Sequence, residues 1–306
     1  LHKLKTLGIY NSNVETLENL PTSLMDITFG DYGNTLKKII LPPFIKKFKC
    51  RNSNLEEINL PSTLEQLDIR DNKIKHLHIY TDIKHLTRLD LGGNLISDTS
   101  FLTKLPCLDF LNLHNNNIDY INYLPSTLRM MDCSNNRLTK LNCLPDNLDK
   151  LYCGNNLISI LELSPNLRIL YCLNNQLTNL NVPNSLRILV CNNNKITKFW
   201  AFPAGINKVI ISDNPITGLP KTFEESNHRL LCVFEHNVPD DALNAEQLSF
   251  TRKIGHYFEH SFMRFDDECI DDKPRMEMVY SSRSNQPGGG FGGFGGGFAG
   301  GFAGGF

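Results

Sequence analysis

The sequence predicts a repeat solenoid, a stack of short parallel strands joined by loops, and three observations predict it. An apolar pattern, L-x-x-L-x-(L/I/C)-x-x-N-x-(L/I), recurs about every 20 residues from Leu4 to past Ile206. Within each copy the fourth and sixth positions are apolar and their neighbours polar, the period-two alternation of a strand with one buried face. The ninth position is Asn in eight successive copies.

Taking the copies in order, their first positions are Leu4, Leu24, Ile45, Leu64, Leu86, Leu108, Leu128, Leu148, Leu167, Leu186 and Ile206, which makes eleven. The fourth and sixth positions supply the core pairs, for example Leu67 with Ile69, Leu89 with Leu91, and Leu151 with Cys153. One such strand cannot bury its apolar side alone, whereas copies stacked about 4.8 Å apart as a parallel sheet share one interior. The ninth-position amides are Asn72, Asn94, Asn116, Asn136, Asn156, Asn175, Asn194 and Asn214. Buried there, they are expected to satisfy backbone groups where the chain leaves each strand. Cys50, Cys133, Cys153, Cys172 and Cys191 occupy the sixth position. They read as small apolar filler, because neighbouring rungs at sheet spacing suit tetrahedral zinc poorly.

These columns resemble the leucine-rich-repeat family over about residues 1–222. The resemblance implies a horseshoe with a parallel concave β-sheet and a convex side of loops and 3₁₀ turns. The LP-x-x-L junctions at Leu20-Pro21, Leu60-Pro61, Leu124-Pro125 and Leu144-Pro145 are similar to the short repeats of secreted bacterial effectors. The segment LPTSLMDITFGDYGN, Leu20 to Asn34, resembles the FNIP repeats of amoebae and of giant viruses that infect them, but lacks the Phe-Asn-Ile-Pro tetrapeptide. The stretch ISDTSFLTKLPCL, Ile96 to Leu108, reads like a longer repeat with a short convex helix or 3₁₀ turn.

Beyond Pro220 the pattern decays. HRLLCVFEHN, His228 to Asn237, is expected to add a strand over the last rung. Pro239-Asp240-Asp241 then starts an apolar-periodic run, read as a helix over about 240–263, so that 223–265 form a short C-terminal helical cap. Residues 266–306 read as an acidic linker, DDECIDD, and a disordered tail whose last 19 residues contain 12 Gly and 5 Phe.

Lys and Arg number 31 against 32 Asp and Glu, a net charge of −1, which argues against gripping nucleic-acid phosphates. No apolar run approaches the roughly 18 residues that span a bilayer, and no stretch has a secretory-signal layout. Nine Cys are scattered along the chain, and none of the 35 Asn heads an Asn-x-Ser/Thr sequon. Both point to a reducing compartment, hence a cytoplasmic location, with a host cell's cytoplasm as one setting.

Chemistry is sparse. Cys269-Ile270-Asp271 matches the Cys-x-Asp nucleophile of the ubiquitin-ligase domain that some bacterial effectors carry, but too little chain follows the repeats to build that domain. His256 and His260 share one face of the expected helix, near Asp266, Asp267 and Cys269, without a second ligand pair of recognisable spacing. His76 and His78 flank Leu77 as two solvent-facing positions. No phosphate loop, nucleophile elbow or zinc-protease helix is present. The sequence therefore predicts no catalytic residue, metal site, cofactor or small-molecule substrate.

What remains is the concave face, which displays the third, fifth and seventh positions. Asp68, Asp90, Asn112 and Asp132 form an acidic ladder edged by Arg70 and Arg88. Tyr152, Ile169, Tyr171, Leu173, Ile188, Val190 and Ile210 then continue as a line of exposed apolar groups. A solvated sheet alternates apolar-in and polar-out, so rungs that are apolar on both faces suggest a contact surface. The expected function is a non-enzymatic scaffold binding a protein partner through this face. The rivals are a substrate-recognition adaptor for ubiquitin ligation and a structural component self-associating through the Gly/Phe tail.

Overall fold

The computed structural model describes residues 3–30, 33–199 and 201–217 and the strand Leu231–Val233. A 12-stranded, wholly parallel sheet runs through the repeats in chain order. Its strands are Thr6–Ile9, Asp26–Phe29, Lys47–Lys49, Gln66–Asp68, Arg88–Asp90 and Phe110–Asn112, then Met130–Asp132, Lys150–Tyr152, Ile169–Tyr171, Ile188–Val190, Lys208–Ile210 and Leu231–Val233. The register holds without slip: Met131 faces Leu111 on one side and Leu151 on the other, and Leu170 faces Leu151 and Leu189. A one-residue slip would expose the whole buried column, so the apolar alternation enforces this pairing. The twelfth strand comes from HRLLCVFEHN and pairs with Lys208–Ile210, as expected. The helix over 240–263, the acidic linker and the Gly/Phe tail lie outside the described residues.

The junctions explain the LP motif. After Leu20-Pro21, Leu41-Pro42, Leu60-Pro61, Leu124-Pro125, Leu144-Pro145 and Val182-Pro183 the chain turns, and the first-position N–H donates to the proline carbonyl three residues back, as Leu64 does to Pro61 and Leu128 to Pro125. The Ser or Thr just before that first position ties the turn to the previous repeat. Thr63 Oγ1 donates to the carbonyls of Pro43 and Ile45, and Thr127 Oγ1 and Ser185 Oγ make the same pair of bonds one repeat back from themselves.

The ninth-position amides tie neighbouring rungs together. Asn156 Oδ1 accepts the Leu138 N–H of the preceding repeat. Its Nδ2 donates to the carbonyls of Cys133, one repeat back, and of Cys153 and Gly154 in its own repeat. Asn72, Asn94, Asn116, Asn136, Asn175, Asn194 and Asn214 repeat this pattern. Each sixth-position carbonyl between Ile69 and Cys191 thus receives two amides, its own and the next repeat's. Near the N-terminus Asn34 makes a related bridge, accepting from Ser12 N and donating to Gly30 O. A two-residue insertion displaces it from the ninth position, which hides it from column counting.

The eighth position has a role that composition did not reveal. Asn52, Asp71, Gly93, Asn115, Asn135, Asn155, Asn174, Asn193 and Asp213 all have positive φ, between 45° and 65°. Gly, Asn and Asp are the residues that visit this left-handed region at low cost. In the recurring Asn-Asn pair the first residue makes the bend and the second bonds the neighbour's backbone, while Asn174 and Asn193 also donate to the eighth-position amide of the preceding repeat. Asn135→Val is therefore expected to lose about 1–2 kcal/mol, and Asn135→Gly to stay within about 0.5 kcal/mol of the parent, read from urea midpoints. Equal losses for both would show that the side chain, not the backbone angle, matters there.

The convex side carries the expected 3₁₀ helix, Ser100–Lys104, with Phe101 and Leu102 buried beneath it. It also carries two short parallel ladders that the sequence did not suggest, Thr16–Leu17 with Lys38–Ile39 and Glu57–Ile58, and Lys140–Leu141 with Ile160–Leu161. Repeats of near-equal length bring equivalent convex segments side by side, and Ile39 and Ile58 turn inward while Lys38 and Glu57 face solvent. Cys50, Cys133, Cys153, Cys172 and Cys191 are buried free thiols, filling the core as expected. Burial lifts the Cys50 thiol to about 11 and those of Cys133, Cys153 and Cys172 well above the usual range, so they stay protonated and unreactive.

Candidate functional site

The parallel register stacks the fifth-position residues in one column on the concave face: Lys49, Asp68, Asp90, Asn112, Asp132, Tyr152, Tyr171, Val190 and Ile210. Third-position residues run along one side of it and seventh-position residues along the other. All ten residues expected to bind a partner lie on this face, which the twelve parallel strands build as one continuous surface.

Their exposure differs from expectation. Asp90 is 1% exposed, Asp132 5%, Tyr152 9% and Val190 6%, so these four are buried, not displayed. Ile169, Tyr171, Leu173, Ile188 and Ile210 are half-buried, and so is Asp68. The correction has a physical cause. Rungs about 4.8 Å apart are narrower than an aromatic ring is wide, so large side chains of adjacent rungs cover one another. Tyr152 and Tyr171 stack with centroids 5.1 Å apart and planes 25° from parallel. Leu173 packs back over Gly154, where an added Cβ would meet its Cδ2 at 3.0 Å.

The acidic half is a charge network. Asp68 accepts from Arg51 Nε at 2.9 Å and lies 3.4 Å from Arg70 Nε, and the same Arg70 nitrogen is 3.8 Å from Asp90. Asp90 Oδ1 accepts the Gly92 N–H, and Asp132 Oδ1 accepts both the N–H and the hydroxyl of Ser134. Burial pushes the Asp90 carboxyl up to about 6, with Asp68 adding to the shift and Arg70 opposing it. Burial raises Asp132 as well, against the pull of its Ser134 hydrogen bonds. Arg88 lies over the ring of Phe110, 3.7 Å from its centroid.

Between the two buried carboxyls sit Asn112 and His114. Asn112 Oδ1 accepts the His114 N–H at 3.0 Å and faces His114 Nδ1 at 2.8 Å, while its buried Nδ2 has no hydrogen-bond partner. The His114 ring lies over Gly92, where a Cβ would approach the ring to 2.2 Å. Arg51, His114 and Phe110 were missed from the sequence, although counting the third and seventh positions would have placed them on this face.

Elsewhere the sequence-predicted candidates stay apart. His76 and His78 are exposed, their centroids 6.0 Å apart, beside a convex cleft of about 340 Å³ that Tyr80, Asp98 and Lys104 also line. Among the described residues no group of three or more His, Cys, Asp or Glu could hold a metal ion. His256, His260, Cys269 and Asp271 lie outside the described residues. No described helix is long and apolar enough to cross a membrane.

Residues 84–126 match the family model described as Leucine Rich repeats (2 copies). Over about three quarters of the chain the fold is similar to solved structures of that type. YopM from Yersinia enterocolitica WA-314 is 25% identical with a TM-score of 0.68, over 78% of this chain and 52% of that one. YopM from Yersinia pestis, described as a leucine-rich effector protein, is 26% identical with a TM-score of 0.55, over 74% of this chain and 77% of that one. An internalin from Listeria monocytogenes, 18% identical with a TM-score of 0.53 over 75% of this chain and 86% of that one, shares the fold. This chain spans about half the length of the first of these. No curated protein matches it in sequence.

Proposed function

We propose that this leucine-rich-repeat chain is a non-enzymatic scaffold that holds a protein partner on its concave face. The observation that carries the reading is the contiguous apolar half of that face. Ile169, Tyr171, Leu173, Ile188 and Ile210 keep part of their surface open on adjacent rungs, where a solvated sheet would present polar groups. Tyr152, stacked on Tyr171 from the neighbouring rung, holds that ring in place. The likeness to a leucine-rich effector protein supports an interaction role. The scattered cysteines and missing sequons support a cytoplasmic setting, and the segment from Leu20 to Asn34 supports kinship with FNIP-type repeats.

Affinity capture from cell lysate, with mass spectrometry, tests the reading. The intact chain is expected to enrich a partner that the double variant Tyr171→Ala, Ile188→Glu loses by about tenfold or more, with its melting temperature nearly unchanged. Tyr120→Ala, on an exposed convex residue, should capture as well as the parent. Equal capture by the double variant would remove the concave face from the function.

A further inference from the structure

The exposed charge around the apolar half of the concave face is one-sided. Over the five rungs from Arg129 to Lys208, the second and third positions supply ten residues, of which five are Lys or Arg and one, Asp149, is acidic. The register sets Lys150 beside Ile169, Ile169 beside Ile188 and Ile188 beside Lys208, so these cations border the apolar floor rung by rung. Arg129 and Arg168 are exposed, and Lys150, Arg187 and Lys208 are half-buried. Asp149 is clasped by Arg168, whereas Arg129, Lys150 and Arg187 form no ion pair with any described residue.

The structure holds this basic edge in place. Arg187 Nη1 donates to the carbonyls of Asn184 and Leu186 at 3.3 and 3.1 Å, and it lies over Gly205, where an added Cβ would meet it at 2.6 Å. Burial holds the Lys208 ammonium below its ordinary range, so an arriving anion there offsets lost hydration. The opposite edge is a ladder of carboxamides, Asn193 donating to Asn174 and Asn174 to Asn155, with Asp213 at its end. The carboxylates of the face itself do little to balance the cations. Asp90 and Asp132 are covered, and Asp68 is held between Arg51 and Arg70.

Building on the docking role above, we propose that the element held on this face is an acidic amphipathic helix of the partner protein. Its apolar stripe lies on Tyr171, Ile188 and Ile210, and its carboxylates, along one flank, meet Arg129, Lys150, Arg187 and Lys208. The spacings favour a helix. Its apolar stripe returns about every 5.4 Å, so against rungs about 4.8 Å apart it drifts by about half a rung over the five. Alternate residues of an extended strand stand about 6.7 Å apart and drift by more than a whole rung. About 13 helical residues span the five rungs. A nucleic acid would satisfy the cations and set its phosphates beside Ile169, Ile188 and Ile210, leaving that floor without an apolar partner.

Fluorescence anisotropy with the full chain tests this, using three labelled, end-blocked peptides. The first repeats Leu-Ala-Glu-Leu-Leu-Ala-Glu three times, the second has Lys for every Glu, and the third holds the first's residues with Leu at alternate positions. The acidic helix is expected to bind at least about tenfold more tightly than the basic one at low salt, with the margin shrinking as salt rises. The double variant Arg129→Gln, Lys150→Gln should bring the two within about threefold by weakening the acidic peptide alone. Tyr171→Ala should weaken both. Equal binding of the acidic and basic peptides, or a preference untouched by the double variant, would overturn the basic edge as the selecting feature while leaving apolar docking intact. Binding of the alternating peptide as tight as that of the first would overturn the helical form. A labelled DNA duplex held more tightly than the acidic helix would overturn a protein occupant. Absence of binding by any probe, with partner capture still lost in Tyr171→Ala, Ile188→Glu, would overturn the acidic helix and leave the docking face standing.

Discussion

Replacing Asn156 by Leu is expected to lower the free energy of unfolding by about 2–5 kcal/mol. The carboxamide accepts the Leu138 N–H at 3.0 Å, and nothing else in the interior replaces that acceptor. A buried N–H left unpaired costs about 1–3 kcal/mol. The carbonyls of Cys133 and Cys153 lose one of their two donors each, keeping Asn136 and Asn175 respectively, so each suffers a smaller loss. The side chain bonds both its own repeat and the preceding one, so the damage falls on the interface between rungs. Stability in a solenoid is a sum of such interfaces. Urea unfolding followed by circular dichroism measures it, with Asn147→Ala as a control, because Asn147 makes a single exposed bond to Ser126 O and should change stability by less than about 0.5 kcal/mol. A loss below 1 kcal/mol for Asn156→Leu would mean that the amide column does not bind the rungs together.

Asp90→Asn is expected to stabilise the protein at pH 7.5, by about 2–3 kcal/mol, and to leave it unchanged near pH 4. The folded-state carboxyl sits at about 6 against an ordinary 3.8, chiefly because burial disfavours its charge. Between those two values the folded chain binds more protons than the unfolded one, so stability falls as pH rises through that window. Above it the folded state carries the full cost of a buried carboxylate, and below it the group is neutral in both states. Asn keeps an oxygen for the Gly92 N–H and removes both the charge and its repulsion with Asp68. Urea midpoints of parent and variant from pH 4 to 8 test this, and the parent should lose stability through that window while the variant loses less. Destabilisation of Asp90→Asn at pH 7.5 would show that attraction to Arg70 outweighs burial.

Most of the fold was legible because its determinants are local and periodic. Eleven of the twelve main-sheet strands begin two residues after the first-position residues found by alignment, since alternation alone marks which side chains turn inward. The cysteine column was legible for the same reason: a small apolar residue at an inward position is core whatever its neighbours are. The candidate site was legible as a set of positions and not as a set of environments. Column counting placed Asp90 and Tyr152 on the concave face, but it could not show that Asp90 lies within reach of Arg70 or that Tyr152 stacks beneath Tyr171. Asn34 escaped because an insertion broke the count, and the eighth position escaped because a backbone angle leaves only the faint mark of Asn, Asp and Gly sharing one column.

By itself, then, the order of residues determined the period, the inward and outward faces, and the side chains each rung presents, because those depend on dihedral preferences and alternation within a few residues. Only the tertiary structure decided which of the presented groups are covered and which charges are paired, with Asp68 held between Arg51 and Arg70 and Asn112 Nδ2 buried without a hydrogen-bond partner among the described residues. Those outcomes depend on side chains about 20 residues apart meeting across a gap of about 4.8 Å, a distance that the chain's local chemistry does not encode.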